Sequence, residues 1–222
     1  MKLVIWDVDG TLVDSADIIM RSMARGMAAA GLPELPPATV GSIVGLSLPV
    51  AVATLLPQAD EPTRAAVVSG YRQSYHDDRT RAESPLFDGA RALLERLDAR
   101  GDVLMAVATG KSQRGLTALM AAHDLSRYFV AMHCADGHPS KPAPGMVLAC
   151  LADAGVDADH ALMIGDTTYD IAMASNAGVA AVGVSWGHHD AADLTEAGAI
   201  AVALDFAELT RLIEGWIDGA AP

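Results

Sequence analysis

The chain of 222 residues is long enough to bury a sizeable core, and its 51% hydrophobic and 19% charged residues are typical of a compact globular protein. Its formal net charge of -13, without a cluster of lysine or arginine, argues against nucleic acid and anionic membranes as partners. No signal-peptide pattern and no run of about 18 apolar residues occurs, so we expect a cytoplasmic protein that does not span a membrane. Cys134 and Cys150 form no metal-binding motif and are expected to be reduced, buried thiols.

Short apolar runs rich in branched residues alternate with helical patterns along most of the chain. The runs predict buried strands at residues 2–6, 103–108, 128–132, 161–164 and 180–184, with a short edge strand at 200–203. The patterns between and after them predict helices at residues 89–100, 112–123, 144–154, 169–177 and 206–217. This alternation predicts an α/β fold, a Rossmann-like parallel sheet covered by helices on both faces.

One interval is too long for the single crossover helix that would join two neighbouring strands. Between residues 14 and 102, helical patterns occur at 36–43, 48–56 and 61–76, after one that carries Met20, Met23 and Met27 on one face. We interpret this methionine stripe as packing rather than a cofactor site. The sequence therefore predicts an inserted α-helical cap domain at residues 15–82, while residues 1–14 and 83–222 form the core domain.

Two carboxylates follow the first predicted strand, at the edge where open α/β sheets place ligands. Asp7 and Asp9 are two residues apart, so in extended chain they face the same side across about 6.5 Å. A calcium loop of the EF-hand kind is excluded, because its required glycine and glutamate positions hold Leu12 and Ile18. A simple turn built on Asp9 and Gly10 remains the structural alternative.

Three further predicted strands also end in polar groups. Thr109 and the backbone N–H of Gly110 follow the second strand and suit phosphate oxygens, although Thr109 is equally compatible with a helix cap. Lys141 lies in the loop after the third strand, where an ammonium group would hold both a nucleophile and a phosphate. Asp166 follows the fourth strand. The parallel sheet would bring these groups to the same edge as the first carboxylates.

The carboxylates of Asp7 and Asp166 suit a Mg²⁺ ion, which typically takes one or two carboxylates, several waters and a phosphate oxygen of the substrate. Asp170, four residues after Asp166, is expected either to orient Lys141 or a metal-bound water, or to cap the following helix. We therefore expect Mg²⁺ as the cofactor and a small phosphorylated metabolite as the ligand.

The chain resembles the haloacid dehalogenase-like hydrolase superfamily in four motifs that occur in order: Asp7-x-Asp9-Gly10-Thr11, Thr109, Lys141-Pro142 and Gly165-Asp166-x-x-x-Asp170. The insertion resembles the cap of subfamily I, and phosphoglycolate phosphatase-like members are the most similar in character. The resemblance implies a phosphatase in which Asp7 forms an aspartyl-phosphate, while Asp9 protonates the leaving oxygen and later activates water. It also implies that Asp9 binds the metal through its backbone carbonyl rather than its carboxylate.

The cap should close over the pocket, exclude water and recognise the leaving group. We expect substrate contacts from three residues: Gly45, Ser47 and Lys111. The aromatic side chains of Tyr71 and Tyr75 are interpreted as packed within the cap. The pair His188-His189 is interpreted as a surface loop that leads into a helix at 190–197.

Other activities remain open at this point. A haloacid dehalogenase shares the nucleophile but needs neither Mg²⁺ nor a second, proton-donating carboxylate, so Asp9 and Asp166 count against it. A phosphomutase of the β-phosphoglucomutase kind shares every motif, and the sequence does not exclude it. A non-catalytic phospho-aspartate switch is disfavoured by Asp9 and by a closing cap. The natural substrate, and the choice between monomer and homodimer, are left open.

Overall fold

The computed structural model describes residues 1–81 and 84–219, without the side chains of residues 79–81. Its strands are β1 (Lys2–Trp6), β2 (Val103–Thr109), β3 (Ala131–Cys134), β4 (Ala161–Gly165), β5 (Ala180–Val184) and β6 (Ala201–Ala203). They form one parallel sheet in the order β3-β2-β1-β4-β5-β6. The predicted α/β fold with a Rossmann-like parallel sheet is confirmed.

The helices occur close to the predicted positions. They are α1 (Ala16–Ala29), α2 (Pro37–Gly41), α3 (Leu48–Leu55), α4 (Glu61–Arg81), α5 (Ala90–Asp98), α6 (Gln113–Ala122), α7 (Gly145–Ala154), α8 (Thr168–Asn176), α9 (Ala191–Glu196) and α10 (Phe206–Ile217). The strand predicted at 128–132 is misplaced, because Ser126–Tyr128 forms a short 3-10 turn and the strand begins at Ala131. Tyr128 and Phe129 are nevertheless buried, so their apolar character reflects burial rather than strand structure.

The strands are buried on both faces of the sheet. On β1, Val4 and Trp6 join a hydrophobic cluster covered by α5, α6 and α10, whereas Leu3 and Ile5 join a second cluster covered by α7, α8 and α9. All four side chains are 0% exposed. This two-sided burial explains why the sequence shows continuous apolar runs rather than alternation. Because both faces of the sheet are covered by helices, polar side chains can reach a ligand only at the ends of the strands.

Helices α1 to α4 enclose a third hydrophobic cluster. Met23 and Met27 are 1% exposed within it and pack with Val52 of α3 and Val67 of α4, as expected for a packing stripe. We infer from this separate cluster that the predicted cap is a domain of its own, although residues 82 and 83, where its predicted end falls, lie outside the described residues. Among the helices described, none combines the length and the apolar character that a membrane span requires.

The two connections between cap and core run side by side. The backbone N–H of Asp14 donates to the carbonyl of Pro85 at 2.9 Å, and the N–H of Phe87 donates to the carbonyl of Leu12 at 3.0 Å. Residues 12–14, before the predicted insertion, therefore lie beside residues 85–87, which follow it. This arrangement places the cap over the strand end that carries Asp7.

Candidate active site

The strand order brings the predicted polar groups to one edge of the sheet. β1 lies between β2 and β4, so Asp7 at the end of β1 has Thr109 of β2 on one side and Asp166 after β4 on the other. Lys141 comes from the loop after β3. In an open α/β sheet, ligands bind outside the carboxyl ends of the strands at the point where the strand order reverses. The parallel pairing brings together strand ends that are far apart in sequence.

Asp7 belongs to a buried set of charges. Lys141 Nζ lies 2.9 Å from Asp7 Oδ1 and 2.5 Å from Asp170 Oδ1, and the three side chains are at most 1% exposed. Through Oδ2, Asp170 also accepts hydrogen bonds from the N–H and the hydroxyl of Thr167 at the N-terminus of α8. From the sequence, Asp170 was expected either to cap the helix or to orient Lys141 or a metal-bound water. In the structure, Asp170 does both: Oδ1 contacts Lys141, and Oδ2 accepts hydrogen bonds at the start of α8.

Asp166 is fully buried and is held from two sides. Its Oδ1 accepts a hydrogen bond from the hydroxyl of Thr11 at 2.9 Å, and its Oδ2 accepts one from the backbone N–H of His188 at 2.9 Å. A Cβ atom at Gly10 would lie 2.2 Å from Asp166 Oδ2, closer than any side chain can approach. Gly10 also has a φ of 82°, which favours glycine. The loop after β1 therefore packs against Asp166 only because position 10 has no side chain.

A second ion pair joins Asp9 to Lys111. Lys111 Nζ lies 2.7 Å and 2.8 Å from the two carboxylate oxygens of Asp9, and it donates to the hydroxyl of Tyr75 on α4 at 2.8 Å. One ammonium group thus connects the loop after β1, the end of β2 and the cap. The packing role predicted for Tyr75 is incomplete: its ring stacks on Tyr71 with centroids 5.8 Å apart, but its hydroxyl belongs to this contact.

The cap meets the core a second time through the loop before α3. A Cβ atom at Gly110 would lie 2.3 Å from the carbonyl oxygen of Gly45, so the two backbones approach closely. The N–H of Ser47 donates to the hydroxyl of Ser140 at 2.8 Å, next in sequence to Lys141. Gly45 and Ser47 therefore lie beside the strand ends, and their contact with substrate stays a prediction.

Cap and core together enclose a cavity of about 520 Å³. Seven of the predicted site residues line it: Asp7, Asp9, Gly45, Ser47, Thr109, Gly110 and Lys111. The cap contributes mainly apolar and aromatic side chains: Ile19, Met23, Ile43, Val44, Leu46, Tyr71 and Tyr75. The other three predicted residues, Lys141, Asp166 and Asp170, are buried next to this lining. The cavity is charged where it meets the sheet edge, and its cap side is largely apolar apart from Arg72 and His76.

Burial and neighbouring charges shift the pKa values of Asp7 and Asp9 in opposite directions. Burial is the main cause that raises the pKa of Asp7 to about 7; Lys141 opposes this shift, while Asp170 and Asp166 add to it. Burial acts to raise the pKa of Asp9 as well, but the ion pair with Lys111 outweighs it, and the pKa lies below its ordinary value. A cation beside Asp7 would lower its pKa and favour its ionised form.

Three buried carboxylates have the composition of a site for a hard cation. Asp7, Asp166 and Asp170 each offer one oxygen atom, and these atoms lie within 4.8 Å of one another. Such oxygen donors are the ligands that Mg²⁺ prefers. Asp170 is already engaged by Lys141 and by the N-terminus of α8, so Asp7 and Asp166 are the residues that fit the ion best.

The prediction of a surface loop at the histidine pair is wrong. The side chain of His188 is only 6% exposed, and its Nδ1 lies 2.9 Å from Asp166 Oδ2. Nδ1 of His189 accepts a hydrogen bond from the N–H of Thr168 at 3.1 Å. The sequence did contain a signal for this role, because the pair follows the run that forms β5. Residues after the other strands were expected to lie at the edge of the sheet where ligands bind, and the same expectation, which located Asp166, applied to His188 and His189.

Comparison with known proteins covers nearly the whole chain. The pattern of the family described as haloacid dehalogenase-like hydrolase matches residues 4–184. The chain belongs to this hydrolase family. The hydrolase is 34% identical over 211 residues to the protein named Probable phosphatase IndB of Dickeya dadantii, covering 93% of this chain and 91% of the relative.

Two further comparisons agree with this family. The hydrolase is 33% identical to a phosphoglycolate phosphatase of Agrobacterium fabrum, covering 94% of this chain and 90% of the relative. The crystal structure of a hydrolase from Pseudomonas syringae superimposes with a TM-score of 0.86 at 25% identity, covering 96% of this chain and 98% of the other. The predicted phosphatase-like hydrolase of this family is thereby confirmed, while the roles of individual residues remain predictions.

Proposed function

We propose that this hydrolase is a Mg²⁺-dependent phosphatase that removes the phosphoryl group from a small phosphomonoester through an aspartyl-phosphate on Asp7. The observation that carries the proposal is the position of Asp7, which lines the cavity and lies 2.9 Å from the buried ammonium of Lys141. The relatives named phosphoglycolate phosphatases support a phosphoglycolate-like substrate, and a sugar phosphate is the other small phosphomonoester that we propose.

Asp7 is the nucleophile in this proposal. One of its oxygens attacks phosphorus in line, and the bond between phosphorus and the leaving oxygen breaks, so one difficult displacement becomes two easier ones. Lys141 restrains Asp7 and offsets negative charge as the anionic substrate approaches. A Mg²⁺ ion held by Asp7, Asp166 and the carbonyl of Asp9 would supply Lewis-acid stabilisation of the phosphoryl oxygens.

The end of β2 supplies donors for the phosphoryl oxygens. The hydroxyl of Thr109 accepts a hydrogen bond from the N–H of Lys111 at 3.3 Å, which leaves its own proton for an oxygen in the cavity. Gly110 follows at the same turn and lines the cavity, and its N–H is the second donor in the proposal. Donors that are held in place before the reaction stabilise developing charge without reorganisation.

Asp9 protonates the leaving oxygen and later removes a proton from the water that hydrolyses the aspartyl-phosphate. The ion pair with Lys111 favours ionised Asp9 and therefore opposes the first of these steps. Lys111 must exchange Asp9 for another anion before Asp9 can carry a proton. A substrate that enters the cavity provides that anion, so substrate binding and activation of Asp9 are linked.

The test is a phosphate-release screen over small phosphorylated metabolites, with MgCl₂ and with chelator. Chelation is expected to lower the rate by ~10²-fold or more and added MgCl₂ to restore it, since metal stabilisation of phosphoryl transfer is worth several kcal/mol. Full activity in excess chelator would contradict the role of Mg²⁺.

The same screen separates the proposal from its alternatives. Isomerised sugar phosphate without release of inorganic phosphate would establish a phosphomutase instead. A single phosphate per protein molecule, without further turnover, would indicate a phospho-aspartate switch. Many turnovers with stoichiometric release of phosphate and alcohol are the result that we expect.

A Tyr75→Phe variant tests the link between Lys111 and the cap. The substitution removes only the hydroxyl that contacts Lys111 Nζ, so we expect a loss of about tenfold in kcat/KM for the best metabolite, the value of one hydrogen bond to a charged group. A small aryl phosphate, whose leaving group makes fewer cap contacts, should be affected less.

Tyr128→Phe is the matched control for this prediction. Its hydroxyl is bonded to Arg127 at 2.7 Å, and Tyr128 is not among the residues that line the cavity. The control should keep wild-type kinetics for every substrate. A uniform loss in Tyr75→Phe across metabolites and aryl phosphate would argue against a role in leaving-group recognition.

A further inference from the structure

The loop after β5 wraps closely around Asp166. The backbone N–H and the Nδ1 atom of His188 each lie 2.9 Å from Asp166 Oδ2, and the N–H of His189 donates to the carbonyl of Asp166 at 3.3 Å. A Cβ atom at Gly187 would lie 2.2 Å from the Cβ of Asp166. Because a carboxylate oxygen only accepts, Nδ1 is the donor in its contact. The loop thus places two N–H donors on a single oxygen.

These contacts use most of the acceptor capacity of Asp166. An ionised carboxylate has about four lone-pair positions. His188 takes the two on Oδ2, and the hydroxyl of Thr11 takes one on Oδ1 at 2.9 Å. One position on Oδ1 is left for a cation. Asp166 is therefore arranged to bind a metal through one oxygen rather than two.

We propose that His188 is a positioning residue that restricts Asp166 to one-oxygen coordination and thereby favours Mg²⁺ over Ca²⁺ at this site. The proposal rests on the Mg²⁺ dependence of the proposed function. Mg²⁺ requires near-octahedral geometry with oxygen distances of about 2.0–2.1 Å, whereas Ca²⁺ accepts more ligands at about 2.3–2.6 Å and often takes both oxygens of a carboxylate. When His188 occupies Oδ2, Asp166 can no longer bind Ca²⁺ through both of its oxygens.

The surroundings of His188 support a role at the site rather than at the surface. Its side chain is 6% exposed, and its Nε2 atom is buried without a hydrogen-bond partner among the described residues. A Cβ atom at Gly10 would lie 2.5 Å from its Nδ1, so the imidazole lies directly against the loop that carries Asp9.

The test measures binding of MgCl₂ and of CaCl₂ to chelator-treated protein by titration calorimetry, without substrate. His188→Leu removes the side-chain donor, whereas His188→Asn keeps an N–H at a similar reach. We expect His188→Leu to lose about 10–100-fold in Mg²⁺ affinity, the usual effect of removing a partner of a metal ligand, and to lose less in Ca²⁺ affinity. His188→Asn should keep most of the wild-type preference for Mg²⁺.

Two further variants sharpen the result. Thr11→Val removes the hydroxyl that holds Oδ1 of Asp166, so Mg²⁺ and Ca²⁺ should both bind more weakly. Because His188 still occupies Oδ2, the ratio of the two affinities should not change. His160→Leu removes an exposed histidine and should change nothing. If thermal melts show that His188→Leu does not fold, His188→Ala carries the same expectation with less bulk.

The outcomes distinguish this inference from the function on which it rests. Wild-type Mg²⁺ affinity and a wild-type Mg²⁺/Ca²⁺ ratio in folded His188→Leu or His188→Ala would overturn the role of His188 while leaving the phosphatase intact. A wild-type protein that binds no Mg²⁺ would instead defeat the proposed function.

Discussion

Replacing Asp7 by asparagine is expected to lower kcat by ~10⁴-fold or more, because the amide is a poor nucleophile and removal of a nucleophile that works as part of a unit has effects of this size. The measurement is phosphate release with the best substrate from the metabolite screen, at saturating MgCl₂. Asparagine keeps the shape of aspartate, so binding of substrate should change much less than turnover. Retained turnover in this variant would remove Asp7 from the mechanism.

The fold of Asp7→Asn can be checked through its pH dependence without metal. Burial raises the pKa of Asp7 to about 7 from an ordinary value of 3.8, so the folded chain holds a proton that the unfolded chain releases at lower pH. The wild type therefore loses stability as pH rises from about 4 through about 7, and Asp7→Asn lacks this loss. Thermal unfolding at pH 8 in chelator should occur at a higher temperature in the variant. A lower unfolding temperature would mean that Asp7 stabilises the fold through its charge.

Replacing Lys141 by methionine should affect both stability and activity. The ammonium lies 2.9 Å from Asp7 Oδ1 and 2.5 Å from Asp170 Oδ1 with none of its side chain exposed, so its removal leaves buried carboxylates without a counter-charge. Breaking a buried ion pair in this way costs about 3–5 kcal/mol of unfolding free energy. We expect that loss at pH 8 in denaturant titrations, together with a fall in kcat of ~10²-fold or more from lost stabilisation of the transferred phosphoryl group.

The pH dependence of Lys141→Met separates an electrostatic cause from a packing defect. Removing the ammonium raises the pKa of Asp7 further above about 7, so protonation on lowering the pH removes part of the uncompensated charge. The stability deficit should therefore shrink as pH falls from 8 to 5. Lys2→Met removes a partly exposed lysine that has no carboxylate partner among the described residues and whose Nζ lies 4.4 Å from the centre of the Trp216 ring. It should cost no more than about 1 kcal/mol, the value of such an exposed contact, and this cost should not depend on pH between 5 and 8. A deficit independent of pH would point to lost packing instead.

The sequence by itself determined the architecture and most of the charged centre. Continuous apolar runs located β1, β4 and β5 because strands buried on both faces need apolar residues at nearly every position. Polar residues directly after such runs located Asp7, Thr109 and Asp166, since parallel strands all end at one edge. The boundary of β3 was missed, because Tyr128 and Phe129 are buried outside the strand and an apolar run reports burial rather than backbone conformation.

Only the tertiary structure decided how these groups are paired. Lys111 reaches Asp9 across 102 positions of sequence, Thr11 reaches Asp166 across 155, and His188 is 22 residues from the carboxylate that it holds. A sequence pattern shows which side chains lie at an edge of the sheet. Whether two of them form a hydrogen bond depends on differences in distance of a few tenths of an ångström, which are set by packing. At Gly10 and Gly187 the absence of a Cβ atom lets two loops close on Asp166. The partners of Asp166 are therefore set by the close approach of loops that follow different strands, which no single segment of the chain encodes.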